Sequence, residues 1–153
     1  MARAPFQVAA FPVRVQGNQQ RQYAVFRRRV EGYWQAIAGG GEADETPLEA
    51  IQRESFEEAG IPFNSPWIVL QTQASVPITH FQDRAHWDDS VLVIPIYHFG
   101  VIVSTDEINL SSEHVEYQWV TEERAQTMLK WDSDCTALWE LEQLLRLQRI
   151  GLR

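Results

Sequence analysis

The sequence predicts an α/β/α sandwich built around a mixed β-sheet. Extended segments lie on both sides of a helical segment at residues 46–59, and two more helical segments close the chain. Strands and helices in this arrangement pack as helical layers on both faces of one sheet. The chain has 153 residues, 44% of them apolar and 11% aromatic, which is enough for one sizeable core. We therefore expect residues 1–153 to form a single domain.

Alternating apolar residues define the expected strands. The first two strands are joined by a turn-like segment at residues 16–20 and should form a hairpin. The expected strands cover residues 6–16, 21–29, 66–76, 91–103 and 115–120. Two helices should follow, the first starting at residues 121–124 and the second capped by Ser133. We expect Trp131 and Trp139, near that last helix, to lie in the core.

The helix at residues 46–59 has both a start and a stop signal. Thr46 is placed to cap it, Pro47 suits the first helical position, and Glu49 completes a capping box. Gly60 is expected to end it. The three glycines at residues 39–41 predict a tight loop whose backbone can approach a metal ion or a phosphate closely.

Three carboxylates project from one face of this helix. Glu54, Glu57 and Glu58 fall within about 100° of one another around the helix axis. Like charges at this spacing cost roughly 0.2–0.5 kcal/mol per pair, and a divalent cation turns the repulsion into binding. Arg53 lies four residues before Glu57 and can hold that carboxylate in one orientation. The alternative interpretation is a solvated acidic helix face.

The charge of the chain restricts its partners. A formal net charge of −8 argues against a nucleic-acid polymer or an anionic membrane, because both are bound by basic surfaces. A small polyphosphate is compatible with this charge if Mg²⁺ or Mn²⁺ bridges it to carboxylates. The oligomeric state is left open, a homodimer included.

Cysteine content and the first residues bear on the compartment. The single Cys135 can form no internal disulfide, so a reducing compartment is expected. Residues 4–15 are fairly apolar but alternate like a strand and lack a cleavage site. These features predict a cytoplasmic location and no membrane span.

The segment from Gly39 to Ile61 resembles the signature of the Nudix hydrolases, Gly-x5-Glu-x7-Arg-Glu-hydrophobic-x-Glu-Glu-x-Gly-hydrophobic. The specified residues that match in register are Gly39, Glu45, Arg53, Glu54, Glu57, Glu58 and Gly60. The chain departs from the pattern at Ser55, where the family has an apolar residue, and at Ala38 and Asp44, where glycine is usual. None of these departures removes a carboxylate.

The resemblance implies the Nudix fold and a metal-dependent attack of water on a phosphorus atom of a nucleoside diphosphate derivative, with Mg²⁺ or Mn²⁺ as cofactor. It places Arg53, Glu54, Glu57 and Glu58 in the catalytic centre, the three glutamates as principal metal ligands. The carbonyl of Ala38 is implied as a further ligand. The general base would be Glu54 or a glutamate from a later loop.

Further motifs resemble the dATP and dihydroneopterin triphosphate pyrophosphohydrolases within that family. These motifs are Phe26-Arg27-Arg28, Tyr33-Trp34-Gln35 and Ser112-Glu113-His114, followed by Tyr117 and Trp119. By this resemblance Glu113 reaches back to the metal cluster as a catalytic residue and metal ligand. Glu116 takes that role if the register differs, and the alternative for Glu113 is an ordinary loop carboxylate.

Substrate contacts are expected from the segment between the hairpin and the helix. Arg28 can clamp phosphates through two hydrogen bonds, with a basic edge strand at residues 27–29 as the alternative. Trp34 and Gln35 can read a base or a pterin ring, with core packing as the alternative for Trp34. Residues 80–89 contain two His, two aromatic residues and three Asp, a composition that suits a lid over the substrate.

Two other histidines, His98 and His114, are expected to make structural hydrogen bonds and not to bind metal.

Three classes of function follow. The leading hypothesis is a metal-dependent pyrophosphohydrolase of nucleotide or pterin triphosphates, with diadenosine polyphosphates or nucleotide sugars as neighbouring substrates. The second is a non-catalytic, ligand-sensing Nudix domain, although such domains often lose acids that are intact here. The third is a structural protein with an acidic helix.

Overall fold

A computed structural model of the chain describes residues 3–15, 20–104 and 108–147. The strands are β1 (Arg3–Val15), β2 (Arg21–Arg28), β3 (Trp34–Gln35), β4 (Ile37–Glu42), β5 (Trp67–Pro77), β6 (Val93–Ile102) and β7 (His114–Val120). The α-helices are α1 (Pro47–Ala59), α2 (Glu122–Met128) and α3 (Asp132–Arg146). Two short 3₁₀ turns, Ile78–His80 and Asp83–His86, lie between β5 and β6.

The described strands form one mixed sheet. Its main order is β3-β2-β1-β6-β5, while β4 pairs with β1 and β7 pairs with β2. The pairing of β1 with β6 is parallel, whereas β1 pairs antiparallel with both β2 and β4. Strand β1 therefore lies at the centre of the sheet.

Helices cover both faces of this sheet. Ile51 and Ala59 of α1 pack on one face, in a cluster with Phe99 of β6. Leu138 and Leu141 of α3 pack on the other face, in a cluster that also contains residues of α2. The predicted α/β/α sandwich is therefore confirmed. No described helix combines the length and the apolar character that a membrane span requires.

Most of the predicted elements have their counterparts in the fold. The expected helix at residues 46–59 is α1, and the expected start at residues 121–124 is α2, where the Thr121 side chain accepts a hydrogen bond from the amide of Arg124. Each of the five expected strands lies within three residues of an observed one. The turn predicted at residues 16–20 falls mostly outside the described residues.

Three structural predictions are wrong. The glycines at residues 39–41 lie in strand β4, which pairs with β1, and not in a loop. Helix α3 starts at Asp132 with Trp131 as its N-cap residue, two positions before the cap expected at Ser133. Trp131 and Trp139 are 45% and 57% exposed, and so do not belong to the core.

Candidate active site

Helix α1 carries the acids of the site, and its capping fixes their register. The Thr46 side chain accepts a hydrogen bond from the Glu49 amide, while the Glu49 carboxylate accepts one from the Thr46 amide. Pro47 occupies the first turn, where its missing amide hydrogen costs nothing. Gly60 ends the helix with φ of 73°, a conformation that favours glycine. The predicted capping box and helix end are thus confirmed.

Strand β4 approaches α1 closely because its residues alternate between the faces of the sheet. The side of Gly39 that would carry a β-carbon faces the carboxyl group of Glu54. The same side of Gly40 faces the guanidinium group of Arg3 instead. The glycines therefore serve the predicted close approach to the site, but within a strand.

Arg53 joins the acidic residues to the glycine strand. Its Nε donates to Glu45 Oε2 at 2.7 Å, and its Nη1 donates to Glu54 Oε1 at 2.9 Å. The Gly40 carbonyl accepts from Nη2 at 2.9 Å. The expected contact with Glu57 is present at 3.3 Å, but it is longer than those to Glu45 and Glu54. This hydrogen bonding from Arg53 is the main reason why the pKa of Glu45 is lowered.

Glu58 is a buried carboxylate without a donor. It is 3% exposed, and no described residue donates a hydrogen bond to either of its oxygens. Burial is the largest cause that raises its pKa well above 4.5, followed by the neighbouring carboxyl group of Glu54 and the charge of Glu113. A buried carboxyl group without a hydrogen-bonding partner is costly to ionise, so Glu58 is unfavourable as a charge in the absence of a cation.

The C-terminal end of α1 helps to position Glu113 near Glu54 and Glu58, and we call these three residues with Glu57 the acidic cluster. The amides of Asn109 and Ser111 donate to the carbonyls of Ala59 and Glu58, which ties the chain before β7 to the helix. The Glu113 carboxylate lies 3.7 Å from Arg28 Nη1. Glu113 therefore lies close enough to Glu58 of α1 for its charge to affect that residue.

Glu116, the alternative to Glu113, is engaged elsewhere. Its carboxylate accepts a hydrogen bond from Arg27 Nε across the β2–β7 pair at 2.7 Å. The geometry therefore favours Glu113 for the position next to Glu58.

Sequence reasoning missed the place of His114 in the cluster. Its Nδ1 lies 3.8 Å from Glu58 Oε1, and neither ring nitrogen has a hydrogen-bonding partner among the described residues. Burial, with a smaller effect from Arg28, lowers the pKa of His114 to about 4, so the ring is neutral at pH 7. The signal in the sequence was its position directly after Glu113. The structural hydrogen bond expected for His114 is not found, whereas His98 makes one to the Thr72 carbonyl at 3.0 Å.

Comparison with known proteins identifies the family. The family model of the NUDIX domain matches residues 5–139, which is most of the chain. The chain belongs to the Nudix family. It is therefore a hydrolase of the pyrophosphohydrolase type, as its signature predicted. No curated protein sequence matched the chain.

Solved structures agree with this assignment. A Listeria monocytogenes str. 4b F2365 protein named as a NUDIX hydrolase is 34% identical, with a TM-score of 0.85, and the alignment covers 98% of this chain and 100% of that one. The E. coli dihydroneopterin triphosphate pyrophosphohydrolase is 21% identical, with a TM-score of 0.71 and coverages of 93% and 99%. The C. elegans Ap4A hydrolase is 14% identical, with a TM-score of 0.72 and coverages of 94% and 98%. The last two likenesses concern the fold.

The donor set of this Nudix site suits a divalent cation. Nudix enzymes generally use such ions, typically Mg²⁺. Carboxylate oxygens are the ligands that Mg²⁺ and Mn²⁺ prefer, and the two oxygens of Glu58 lack any described donor. Within the described parts of the chain, no three acidic, His or Cys side chains already converge as a ligand group. Arg53 donates hydrogen bonds to Glu54 and Glu57.

The residues predicted to contact substrate differ in their accessibility. Arg28 lies at the cluster, between Glu31 at 3.3 Å and Glu113 at 3.7 Å. Trp34 packs against the core beneath α2 and α3, which fits the alternative interpretation for this residue, and Gln35 is buried. Ala38 lies in β4, directly before Gly39.

Residues 80–89, predicted as a lid, are tethered to the start of β1. Trp87 Nε1 donates to the Arg3 carbonyl at 2.7 Å, and the rings of Phe81 and Trp87 lie 5.9 Å apart. Because the Arg3 guanidinium group faces Gly40, this segment borders the strand that carries the glycines.

Proposed function

We propose that this Nudix hydrolase uses Mg²⁺ or Mn²⁺ to hydrolyse a diphosphate linkage in a nucleoside or pterin triphosphate, or in another nucleoside diphosphate derivative. The observation that carries this proposal is Glu58, a buried carboxylate with no described donor that stands beside Glu54 and Glu113. Such a group is stabilised when a cation binds. A solvated acidic helix face would leave Glu58 exposed.

Glu54, Glu57, Glu58 and Glu113, with the carbonyl of Ala38, would hold the metal. When bound, a divalent cation neutralises charge on the phosphates and activates a water molecule. Arg53 keeps Glu54 and Glu57 in fixed orientations through its hydrogen bonds. Glu54 or Glu113 would accept the proton of the attacking water. His114, neutral at pH 7, adds no positive charge that would oppose the cation.

Arg28 would bind the phosphate chain. Its guanidinium group lies at the edge of the cluster, next to Glu113, and is partly exposed. A planar guanidinium group matches two phosphate oxygens at once, which favours this residue over the exposed pair of Arg27 and Glu116. A net charge of −8 is unfavourable for a nucleic-acid polymer, so a small-molecule substrate fits best.

The substrate class is supported by the motifs shared with dATP and dihydroneopterin triphosphate pyrophosphohydrolases and by the fold likeness to the E. coli enzyme of the latter name. The test is release of phosphate and pyrophosphate from dNTPs, dihydroneopterin triphosphate, ADP-ribose and diadenosine polyphosphates. Each substrate is assayed with Mg²⁺, with Mn²⁺ and with excess chelator.

Glu58→Gln and Glu116→Gln form a matched pair for this assay. Both remove one carboxylate, but Glu116 pairs with Arg27 away from the cluster. We expect metal-dependent turnover in the wild type and in Glu116→Gln, and its loss in Glu58→Gln. Absence of turnover on every substrate in the wild type, under conditions in which it binds metal, would contradict the proposal.

A further inference from the structure

The half-buried ring of Tyr33 and the exposed ring of Trp131 form an aromatic pair outside the group of acidic residues. The rings of Tyr33 and Trp131 meet edge to face, with centroids 5.4 Å apart and an interplanar angle of 81°. Trp131 is 45% exposed, although it is one of the largest apolar side chains in the chain. As the N-cap residue of α3 it makes no side-chain capping hydrogen bond, so capping does not explain it.

This pair is held rigidly by the backbone around it. The amide of Lys130 donates to the Trp34 carbonyl at 3.0 Å, and Leu129 forms a bridge with Trp34. Between β3 and β4, the amide of Ala36 donates to the carboxylate of Asp134 at 3.1 Å. The loop between α2 and α3 is thereby fixed to the segment that carries Tyr33. Rigid aromatic surfaces lose little conformational entropy when a ligand binds.

The pair also adjoins the proposed phosphate site. The amide of Arg28 donates to the Tyr33 carbonyl at 2.9 Å, while the Arg28 side chain lies 3.7 Å from Glu113. Arg28 thus contacts Glu113 through its side chain and Tyr33 through its backbone, and the Tyr33 ring contacts Trp131. A substrate with phosphates at the cluster would extend its other end along these contacts.

The charges near the pair suit such a ligand. Lys130 is the only lysine in a chain of net charge −8, and its Nζ lies 5.9 Å from the centroid of the Trp131 ring. The Lys130 side chain is exposed and flexible, so it can move away from the indole face and allow a flat ligand to stack there. Its ammonium group can then donate a hydrogen bond to a carbonyl oxygen or nitrogen of the ligand ring.

We propose that Tyr33, Lys130 and Trp131 form the subsite that binds the flat heterocyclic ring of the substrate. This inference rests on the proposed function, and it replaces Trp34 and Gln35 as the ring-binding residues. Trp34 packs against the core and Gln35 is buried, whereas Trp131 is accessible. The subsite would take a purine or a pterin, since any planar ring can stack on an indole.

The test is equilibrium binding, which does not require turnover. In the presence of Mg²⁺, the probes are a dATP analogue with methylene groups in place of both anhydride oxygens, dihydroneopterin and, as a ring-free control, inorganic tripolyphosphate. Trp131→Ala removes the indole and Trp131→Phe retains an aromatic ring. Trp139→Ala is the matched control, because Trp139 is an exposed tryptophan of the same helix, beside Gln126 and Thr136.

We expect Trp131→Ala to weaken binding of at least one ring-bearing probe by about 10- to 100-fold, the usual effect of losing one stacked base. Trp131→Phe should recover much of this loss, Trp139→Ala should bind like the wild type, and tripolyphosphate binding should be unchanged throughout. In turnover, KM for the ring-bearing substrate should rise more than kcat falls. A general structural role for Trp131 would weaken tripolyphosphate binding as well.

Lys130 gives a second readout. As the single lysine it can be followed by mass spectrometry after reaction with an amine reagent, and a ring-bearing probe should protect it while tripolyphosphate should not. Unchanged affinity of Trp131→Ala for both ring-bearing probes, or no binding of either by the wild type, would overturn the subsite. Binding that depends on Trp131 in a protein without hydrolytic activity would retain the subsite and overturn the proposed function.

Discussion

The carboxyl group of Glu54 packs directly against the α-carbon of Gly39, in the space that a β-carbon would fill in any other residue. This contact joins the acidic helix to the central part of the sheet. It explains why a glycine is required in the middle of a strand, where glycine is otherwise unfavourable.

Gly39→Ala should therefore disable the site without unfolding the protein. The added methyl group would overlap the Glu54 carboxyl group and displace it from the cluster. Because displacement of a catalytic group by about 1 Å can cost about a hundredfold, we expect a loss of that order in kcat/KM. Activity assays with Mg²⁺, together with circular dichroism, would measure this.

Gly40→Ala is the matched control for that variant. Its methyl group would meet the far end of the Arg3 side chain, which can move aside. We expect a much smaller loss of activity. Equal losses in the two variants would argue against a specific role for the contact between Glu54 and Gly39.

Arg53→Lys should reduce activity by about 10- to 100-fold, the usual effect of removing a group that orients metal ligands, which is the role we propose for Arg53. Arg53 bonds Glu45, Glu54 and the Gly40 carbonyl at once through a planar fork. Lysine keeps the charge but cannot reproduce this geometry. The activity and the Mg²⁺ concentration for half-maximal activity would be measured. Arg27→Lys, which alters an exposed pair with Glu116, should change neither quantity.

The sequence predicted the parts of the site that depend on local signals. The cap at Thr46, the end at Gly60 and the register of Glu54, Glu57 and Glu58 follow from helix geometry and side-chain chemistry over a few residues. Strand β4 was missed because its glycines disfavour a strand in general, and β3 was missed because it has only two residues. In β4 the pairing with β1 outweighs that preference, and the glycines leave room for Glu54 and Arg3.

Other features depend on distant residues and have no local signal. The burial of His114 beside Glu58 follows from the pairing of β7 with β2 and from the attachment of residues 109–111 to α1. Trp131 resembles a core residue in its chemistry, yet the exposed position results from how the α2–α3 loop meets β3.

Ser55→Ala should stabilise the protein. Ser55 stands where the Nudix signature has an apolar residue, it is fully buried, and its hydroxyl has no hydrogen-bonding partner among the described residues. Removing an unsatisfied buried hydroxyl should raise the free energy of unfolding by about 1 kcal/mol. Urea denaturation would measure this, with Ser65→Ala as a control, since the exposed Ser65 hydroxyl donates to the Pro62 carbonyl. A destabilised Ser55→Ala would show that the hydroxyl has a partner.

Glu58→Gln should make the metal-free protein more stable and the metal-bound protein less so. In the metal-free state burial is the main cause that raises the pKa of Glu58, so at neutral pH the wild type must take up a proton on folding, whereas glutamine does not titrate; we expect a gain of about 1 kcal/mol or more. The same change removes a proposed ligand, so Mg²⁺ should no longer raise the melting temperature. Thermal unfolding with Mg²⁺ and with chelator separates the two effects. Stabilisation by Mg²⁺ equal to that of the wild type would remove Glu58 from the ligand set.

Asp134→Asn should change the pH dependence of stability. Burial raises the pKa of Asp134 to about 6 from 3.8, so between these pH values the folded protein binds more protons than the unfolded chain. The favourable contribution of Asp134 to the free energy of unfolding is therefore fully present below pH 3.8. It is lost as the pH rises through 6, and the loss is about 3 kcal/mol at most. Asparagine does not titrate, and its carbonyl can still accept from the Ala36 amide.

The imidazole ring of His98, which faces Asp134, also favours asparagine at this position. His98 Nδ1 must carry the hydrogen that it donates to the Thr72 carbonyl, which leaves Nε2 as an acceptor 4.0 Å from Asp134 Oδ1. An asparagine amide could donate to that nitrogen, whereas a carboxylate could not. Because burial lowers the pKa of His98, the contribution of His98 to the free energy of unfolding rises with pH. His98 is present in both proteins, so the difference in stability between the wild type and the variant reports on Asp134. Urea denaturation from pH 4 to pH 8 should show that the stability of Asp134→Asn relative to the wild type increases with pH. Asp134→Leu leaves the Ala36 amide without an acceptor, so it should be less stable than Asp134→Asn at every pH.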